Sequence, residues 1–471
     1  MNACLSPARP LCVQPLKVPP RVLRQLAAAR AADYPMLLDS VAAGALGRHS
    51  ILLARPRAAL WCTPSGRLGA LGMRPEGADF LTALDRWWRA ERVPQAQADC
   101  TVPFAGGWAI FLGYEMAREI EPRLVLPPSE LPWRAFALRT PCALVHERGS
   151  DQVLAVAEPG AEAQLECLIE DAQRAALAPE RAPAAAPPGT LRVHEEDPAR
   201  FLERVRRAQE YIRAGDIYQA NLSRAWHIEL EEPPDDQVAR LYEALCRSNP
   251  APFAALAQWQ GVALLSSSPE RLIRVQGREA ETRPIAGTRP RSRRPGDDAA
   301  EAAALIAHPK ERAEHIMLID LERNDLGRVC EAGTVRVDEL MVTETYQHVH
   351  HIVSSVRGRL RPEVTPLGAV RAVFPGGTIT GCPKVRCMQI IAELEGEGRG
   401  AYTGSLGFLG RDGRLDLNIL IRTMTLQRGR ISLRAGAGIV ADSVAERELE
   451  ETRAKARGLL ASFGPLGART A

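Results

Sequence analysis

Two helical patterns each carry a pair of carboxylates one turn apart. Glu311 and Glu314 lie in PKERAEHIMLIDL, and Glu448 and Glu451 lie in ERELEETRAKA. The i,i+3 spacing sets both members of a pair on one face. Two helices presenting carboxylates could hold Mg²⁺, which takes one or two carboxylates and completes its shell with waters and an anionic substrate. Spacing alone equally describes solvated charges pairing with Arg312, Arg447 or Arg453, the ordinary arrangement. Two glycine-rich segments, 375–381 (PGGTITG) and 435–438 (AGAG), follow apolar stretches. Backbone N–H groups exposed on such loops bind carboxylates as they bind phosphates; taken singly, each is a tight turn. His348, His350 and His351 follow Gln347. Alternation sets the first two on one face and His351 on the other, so they do not converge as zinc ligands must. An acid, base or orienting role suits one of them better. Arg422 stands inside the apolar run ILIRTMTL and reads as part of a strand. A buried guanidinium needs an anion, so it is either a core ion pair or a carboxylate clamp.

These groups need strands and helices to hold them. SILLAR (50–55) and AALWC (58–62) read as strands, and FAGGWAIFLG (104–113) as a glycine-punctuated strand pair. Phe201, Val205, Ala208 and Ile212 recur at helical spacing over 198–214, and Gly215 is placed to end that helix. Runs 404–409 and 415–425, turned at Asp412-Gly413, predict an antiparallel hairpin. The Pro/Ala-rich stretch 178–190 reads as a connector between an N-terminal region, 1–177, and a larger one, 191–471. A crossover is expected there rather than a clean cut.

The 471 residues carry 60 basic and 57 acidic side chains, a net charge of +3. No long run of like charge gives the electrostatic footprint of nucleic-acid or membrane-surface binding. No stretch of 18 apolar residues predicts a membrane span. Ten cysteines without a C-x-x-C pair, and a start without an apolar signal core, lead to an expected cytoplasmic placement. Only four lysines occur (Lys17, Lys310, Lys384, Lys455), so a nucleophilic lysine has four candidates. There is no G-x-G-x-x-G opening a helix, no Walker loop and no H-E-x-x-H.

The segments GDIYQANLS (215–223), SSSPERL (266–272), RPIAGTRPR (283–291), KERAEHIMLIDLERNDLGRV (310–329), FPGGTITGCPK (374–384), YTGSLGF (402–408), LNILIRT (417–423) and AGAGIVADS (435–443) occur in this order. Together they resemble the chorismate-utilising enzymes over about 250 residues. The N-terminal segments MLLDS (36–40) and PFAGGWAIFLGYE (103–115) resemble the amidating members. The resemblance implies an α+β fold of antiparallel sheets wrapped by helices, like anthranilate synthase component I. It implies Mg²⁺ as cofactor, ligated by Glu314 and Glu451 with Glu311 and Glu448 in support. Glu270 would be the general acid for the departing C4 hydroxyl. Arg422 and Tyr402 would bind the enolpyruvyl carboxylate, and the backbone of Gly436, Ala437 and Gly438 the ring carboxylate. Thr378 and His351 would line the ring, with Gly287, Thr288 and Lys384 in the substrate-binding set. Gln219 stands where water-using relatives have a lysine base, so ammonia is the expected nucleophile.

The same resemblance points at the product. Ala286 occupies the position of a nucleophilic lysine in many aminodeoxychorismate synthases, and a methyl group cannot attack. A subclass of those enzymes nevertheless shares P-I-A-G-T. FPGGTITG and the N-P-A-P-F at 249–253 resemble the aminodeoxychorismate type, and Asp39 departs from the Glu usual in tryptophan-regulated anthranilate synthases. Ser40, Asn249, Pro250 and Phe253 would be the remnant of an effector pocket. The expectation is therefore amination of chorismate to 4-amino-4-deoxychorismate, with anthranilate synthase component I as the alternative. AEHIMLIDL and RPIAGTRPR favour that alternative. No glutaminase segment is recognisable, so ammonia would come from a separate glutamine amidotransferase subunit.

Overall fold

The computed structural model describes residues 11–42, 46–93, 102–179, 192–229, 237–292, 294–345 and 349–464. His348 and all but the first two residues of the connector 178–190 lie outside them. Within them, two large sheets built from antiparallel pairs stack face to face, with helices on the outer faces. The first sheet runs through Cys12–Leu16, Val153–Ala157, Cys142–Glu147, His49–Ala54 and Met36–Asp39. It continues through Phe253–Trp259, Val262–Ser268, Thr423–Gln427, Arg430–Ile439, Gln219–Glu229 and Arg192–Glu195, with Gly381–Cys382 paired beside Gln219. The second runs through Ile285–Pro290, Val349–Arg359, Glu279–Arg283, Arg271–Gln276 and Leu415–Asn418. It continues through Ser405–Gly410, Gly107–Leu112, Ala135–Thr140, Ala58–Cys62 and Leu68–Leu71, with Arg336–Thr345 also paired to Val349–Arg359.

The layering follows from alternation along each strand. Met36, Ile51 and Leu53 point inward to meet Phe111, Phe136 and Leu138 of the other sheet. Leu37 and Leu52 point outward, under the helices Arg21–Ala29, Glu162–Leu177 and Gln237–Ser248. Edge-to-face rings stiffen the inner layer, with Phe111 and Trp133 centroids 4.8 Å apart. On the second sheet, Leu60 and Ile110 lie under Phe80–Glu91, Pro309–Gly327 and Pro366–Val373.

Strands from early and late in the chain share both sheets. Met36–Asp39 pairs with Phe253–Trp259, and Gly107–Leu112 pairs with Ser405–Gly410. The strand Ala58–Cys62 and the helix Pro198–Arg213 match the sequence reading, the helix capped by Asp197 and followed by Gly215 at φ 82°. Two readings are corrected. FAGGWAIFLG forms one strand, Gly107–Leu112, because Gly106 at φ 93° turns the chain before it. The run 415–425 is two strands in different sheets, Leu415–Asn418 and Thr423–Gln427, so Arg422 lies in the crossing and not in a strand.

Candidate active site

Two neighbouring crossings between the sheets build the site. The chain leaves the first sheet after Val262–Ser268 and enters the second at Arg271, placing Glu270 in the step. It makes the reverse step at 419–422, placing Arg422 there at φ 51°. Hydrogen bonds zip the two steps together: Ile419 N–H to the Glu270 carbonyl at 3.0 Å, and Ser267 N–H to the Arg422 carbonyl at 3.0 Å. Positive φ costs a non-glycine residue strain that the surroundings must hold in place.

The Glu270 side chain is 3% exposed. Its Oε1 accepts from Thr378 Oγ1 at 2.7 Å and from Ile285 N–H at 3.4 Å. Burial pushes its carboxyl up to about 8 against those hydrogen bonds; the nearby Glu322 adds to the rise and Arg422 opposes it. The Arg422 guanidinium is itself pushed down by burial, with Glu270 countering. It meets no hydrogen-bond acceptor among the described residues. His351 is held neutral, pushed down to about 3 by burial and next by Arg422, with Nδ1 3.4 Å from the Gly287 carbonyl oxygen. His350 faces the other way, its Nε2 2.9 Å from Asp298.

The opposite wall is the inward face of Gln219–Glu229 and Arg430–Ile439. Gln219 and Asn221 share it with Gly436 and Gly438. A Cβ at Gly438 would strike the Gln219 amide nitrogen. One at Gly436 would sit 2.5 Å from Tyr402 Oη and 2.8 Å from Asn221 Oδ1. The glycines therefore make the room. Gln219 Oε1 and Asn221 Oδ1 are buried without a hydrogen-bond partner among the described residues. Burial pushes the Tyr402 phenol up to about 12. Beyond Leu433 the strand pairs on one side only, and the Gly436 carbonyl accepts from Lys455 Nζ at 2.9 Å.

The four glutamates stand on two helices, Pro309–Gly327 and Ala445–Leu460. A Cβ at Gly287, whose φ is 69°, would lie 2.8 Å from Glu311 Oε2. Glu451 Oε1 is 2.7 Å from Lys455 Nζ, and its charge acts on Tyr402. Glu448 is buried and Glu314 half-buried. No three His, Cys, Asp or Glu side chains converge on one point among the described residues. All four are hard carboxylate oxygen donors, the ligand type Mg²⁺ takes beside water and substrate.

Other expected site residues fall elsewhere. Ala437 turns outward onto Phe201 and Ile439, because alternation gives the inward face to the glycines. Lys384 is held by Asp325 and by the Val373 carbonyl at 3.0 Å, so its ammonium is already satisfied. Ala286 pairs with Ile352. The Thr288 backbone pairs with His351, and its side chain lies outside the described residues. Ser40 and Phe253 line a cavity of about 560 Å³ between the sheets; Asn249 and Pro250 do not. Asp39 there is engaged by Arg24 at 2.7 Å and Ser50 at 2.9 Å. Asn221 and Glu322 went unread as site residues, and Lys455 stood out only as one of four lysines. Asn221 left a signal, its place two residues from Gln219 on one strand face.

A family model described as chorismate binding enzyme matches residues 60–461. The chain is 42% identical to anthranilate synthase component 1 of Streptomyces coelicolor, covering 90% of this chain and 82% of that protein. It is 39% identical to anthranilate synthase component 1 of Thermus thermophilus, covering 97% of each. The crystal structure of anthranilate synthase component I from Streptococcus pneumoniae superposes with a TM-score of 0.76 at 32% identity, over 88% of this chain and 92% of that one.

Proposed function

The chain belongs to the chorismate binding enzymes, and from that premise we propose that it works as an anthranilate synthase component I. It would convert chorismate and ammonia to anthranilate, pyruvate and water. The similarity to proteins named for that activity, over nearly the whole chain, supports this product better than the 4-amino-4-deoxychorismate expected from FPGGTITG and Asp39. The observation that carries the chemistry is the buried Glu270 carboxyl. Pushed up to about 8, it keeps its proton at neutral pH and can give it to a leaving hydroxyl.

In this reading, Arg422 and Tyr402 hold the enolpyruvyl carboxylate, and the open edge at Gly436–Gly438 receives the ring carboxylate. Glu314 and Glu451, with Glu311 and Glu448, would hold Mg²⁺, which supplies charge neutralisation at that carboxylate. Ammonia enters from the Gln219 side and forms the bond at C2 as the C4 hydroxyl leaves with the Glu270 proton. Neutral His351 and Thr378 pack against the ring. The C2 proton and the enolpyruvyl group then depart, the latter as pyruvate, and the ring becomes aromatic. Ala286 offers no nucleophile, and Lys384 and Lys455 are occupied by Asp325 and Glu451, so no covalent lysine intermediate is invoked. A glutamine amidotransferase subunit would deliver the ammonia.

The test is product identification by liquid chromatography with mass detection. The purified chain is given chorismate, Mg²⁺ and ammonium salt, with and without an aminodeoxychorismate lyase. Anthranilate without the lyase is expected. p-Aminobenzoate appearing only with the lyase would move the amination to C4 and overturn the product while leaving the family assignment intact.

A further inference from the structure

A second buried carboxyl, Glu322, stands behind the general acid. It projects from the helix Pro309–Gly327 and is 5% exposed. Its Oε1 accepts from Gly377 N–H at 3.3 Å. Thr378, the next residue of that loop, donates to Glu270 Oε1 at 2.7 Å. One turn of loop thus ties the two carboxyls back to back. The close fit depends on glycine, because a Cβ at Gly377 would stand 3.2 Å from Glu322 Oε1 and 2.5 Å from Leu321 Cδ2. The proposed Mg²⁺ ligands lie about two to three turns earlier on its helix, at Glu314 and Glu311, or on another helix.

We propose, building on the role of Glu270 given above, that Glu322 is a positioning residue for that acid: it anchors the Gly377–Thr378 loop and sets a negative charge behind Glu270 that keeps the proton on it. The groups around the pair are few. Glu270 is faced by Thr378, the Ile285 N–H, Arg422 and Glu322. Glu322 is faced by the Gly377 N–H, Thr282, Asp325 and Lys384. Burial pushes Glu322 up to about 7, with Asp325 adding to the rise and Lys384 opposing it. An ionised Glu322 makes the Glu270 proton harder to remove.

The experiment is the pH profile of kcat/KM for chorismate at saturating Mg²⁺ and constant free ammonia, for the wild type, Glu270→Gln and Glu322→Gln. Gln at 322 still offers an oxygen to Gly377 N–H, so it keeps the anchor and removes the charge. The alkaline limb is expected to move to lower pH by about one unit in Glu322→Gln. A limb that stays in place, while Glu270→Gln loses turnover, would overturn the role of Glu322 and leave the acid standing. Turnover retained in Glu270→Gln would instead remove the acid, and the role of Glu322 with it. Glu322→Ala, which removes anchor and charge together, should shift the limb the same way and also raise KM; an unshifted limb there would likewise overturn the proposal.

Discussion

At the residue scale, the proposed mechanism turns on one carboxyl that burial pushes up. Replacing it by Gln keeps the shape and the acceptor for Thr378 but removes the proton. Glu270→Gln should lower turnover by about 10²–10⁴-fold, the usual worth of a positioned acid, measured as anthranilate formation at pH 7. The sign of the pH effect follows directly. In the proposed role the proton is needed, and it is lost as pH rises through about 8, so the rate should fall on the alkaline side at constant free ammonia. Glu270 was legible in the sequence because S-P-E belongs to a recognisable segment. Glu322 was not: in DLERNDLGRV it looks like one more charge on a polar helix face. Its burial arises only when the glycine loop at 376–377, far along the chain, closes over it.

At the element scale, the same limit explains the misplacement of Arg422. The run LNILIRTMTL is apolar throughout because both of its strands are buried, and a pattern of side chains does not record a change of sheet. The turn at Arg422 is a backbone event. The glycines of 435–438 read as a loop in the sequence, but the structure makes them strand residues whose missing side chains create space. Their replacements should differ. Gly438→Ala meets the end of a flexible Gln219 side chain, whereas Gly436→Ala also meets the Leu222 carbonyl at 2.7 Å. The first should raise KM for ammonia while leaving the melting temperature nearly unchanged. The second, pressing on backbone, should lower the melting temperature and impair chorismate binding. Thermal melts and steady-state kinetics on the two variants separate these outcomes.

At the scale of the whole molecule, the composition and the resemblance together indicated a globular α+β protein of antiparallel sheets, and the superposition on anthranilate synthase component I agrees. The way the early and late strands interleave was not legible, because edge pairing between distant segments leaves no local trace. The inner aromatic layer spans that seam: Trp133 contacts Phe111 and Phe136 from the early part, and Trp259 from the late part. Trp133→Ala should cost about 3–5 kcal/mol, the range for large aromatic truncations in a core. Circular dichroism and activity should be lost in one shared transition.

Pairing across the seam also bears on what would happen if the chain were made in two pieces, cut between residues 179 and 192. Each piece alone would present two raw strand edges: Met36–Asp39 and Gly107–Leu112 on one, Phe253–Trp259 and Ser405–Gly410 on the other. Such unpaired edges are templates for other chains, so each piece made alone should aggregate. Synthesised together, each piece is the natural cover for the other's edges, and soluble, active enzyme should be recovered from the mixture.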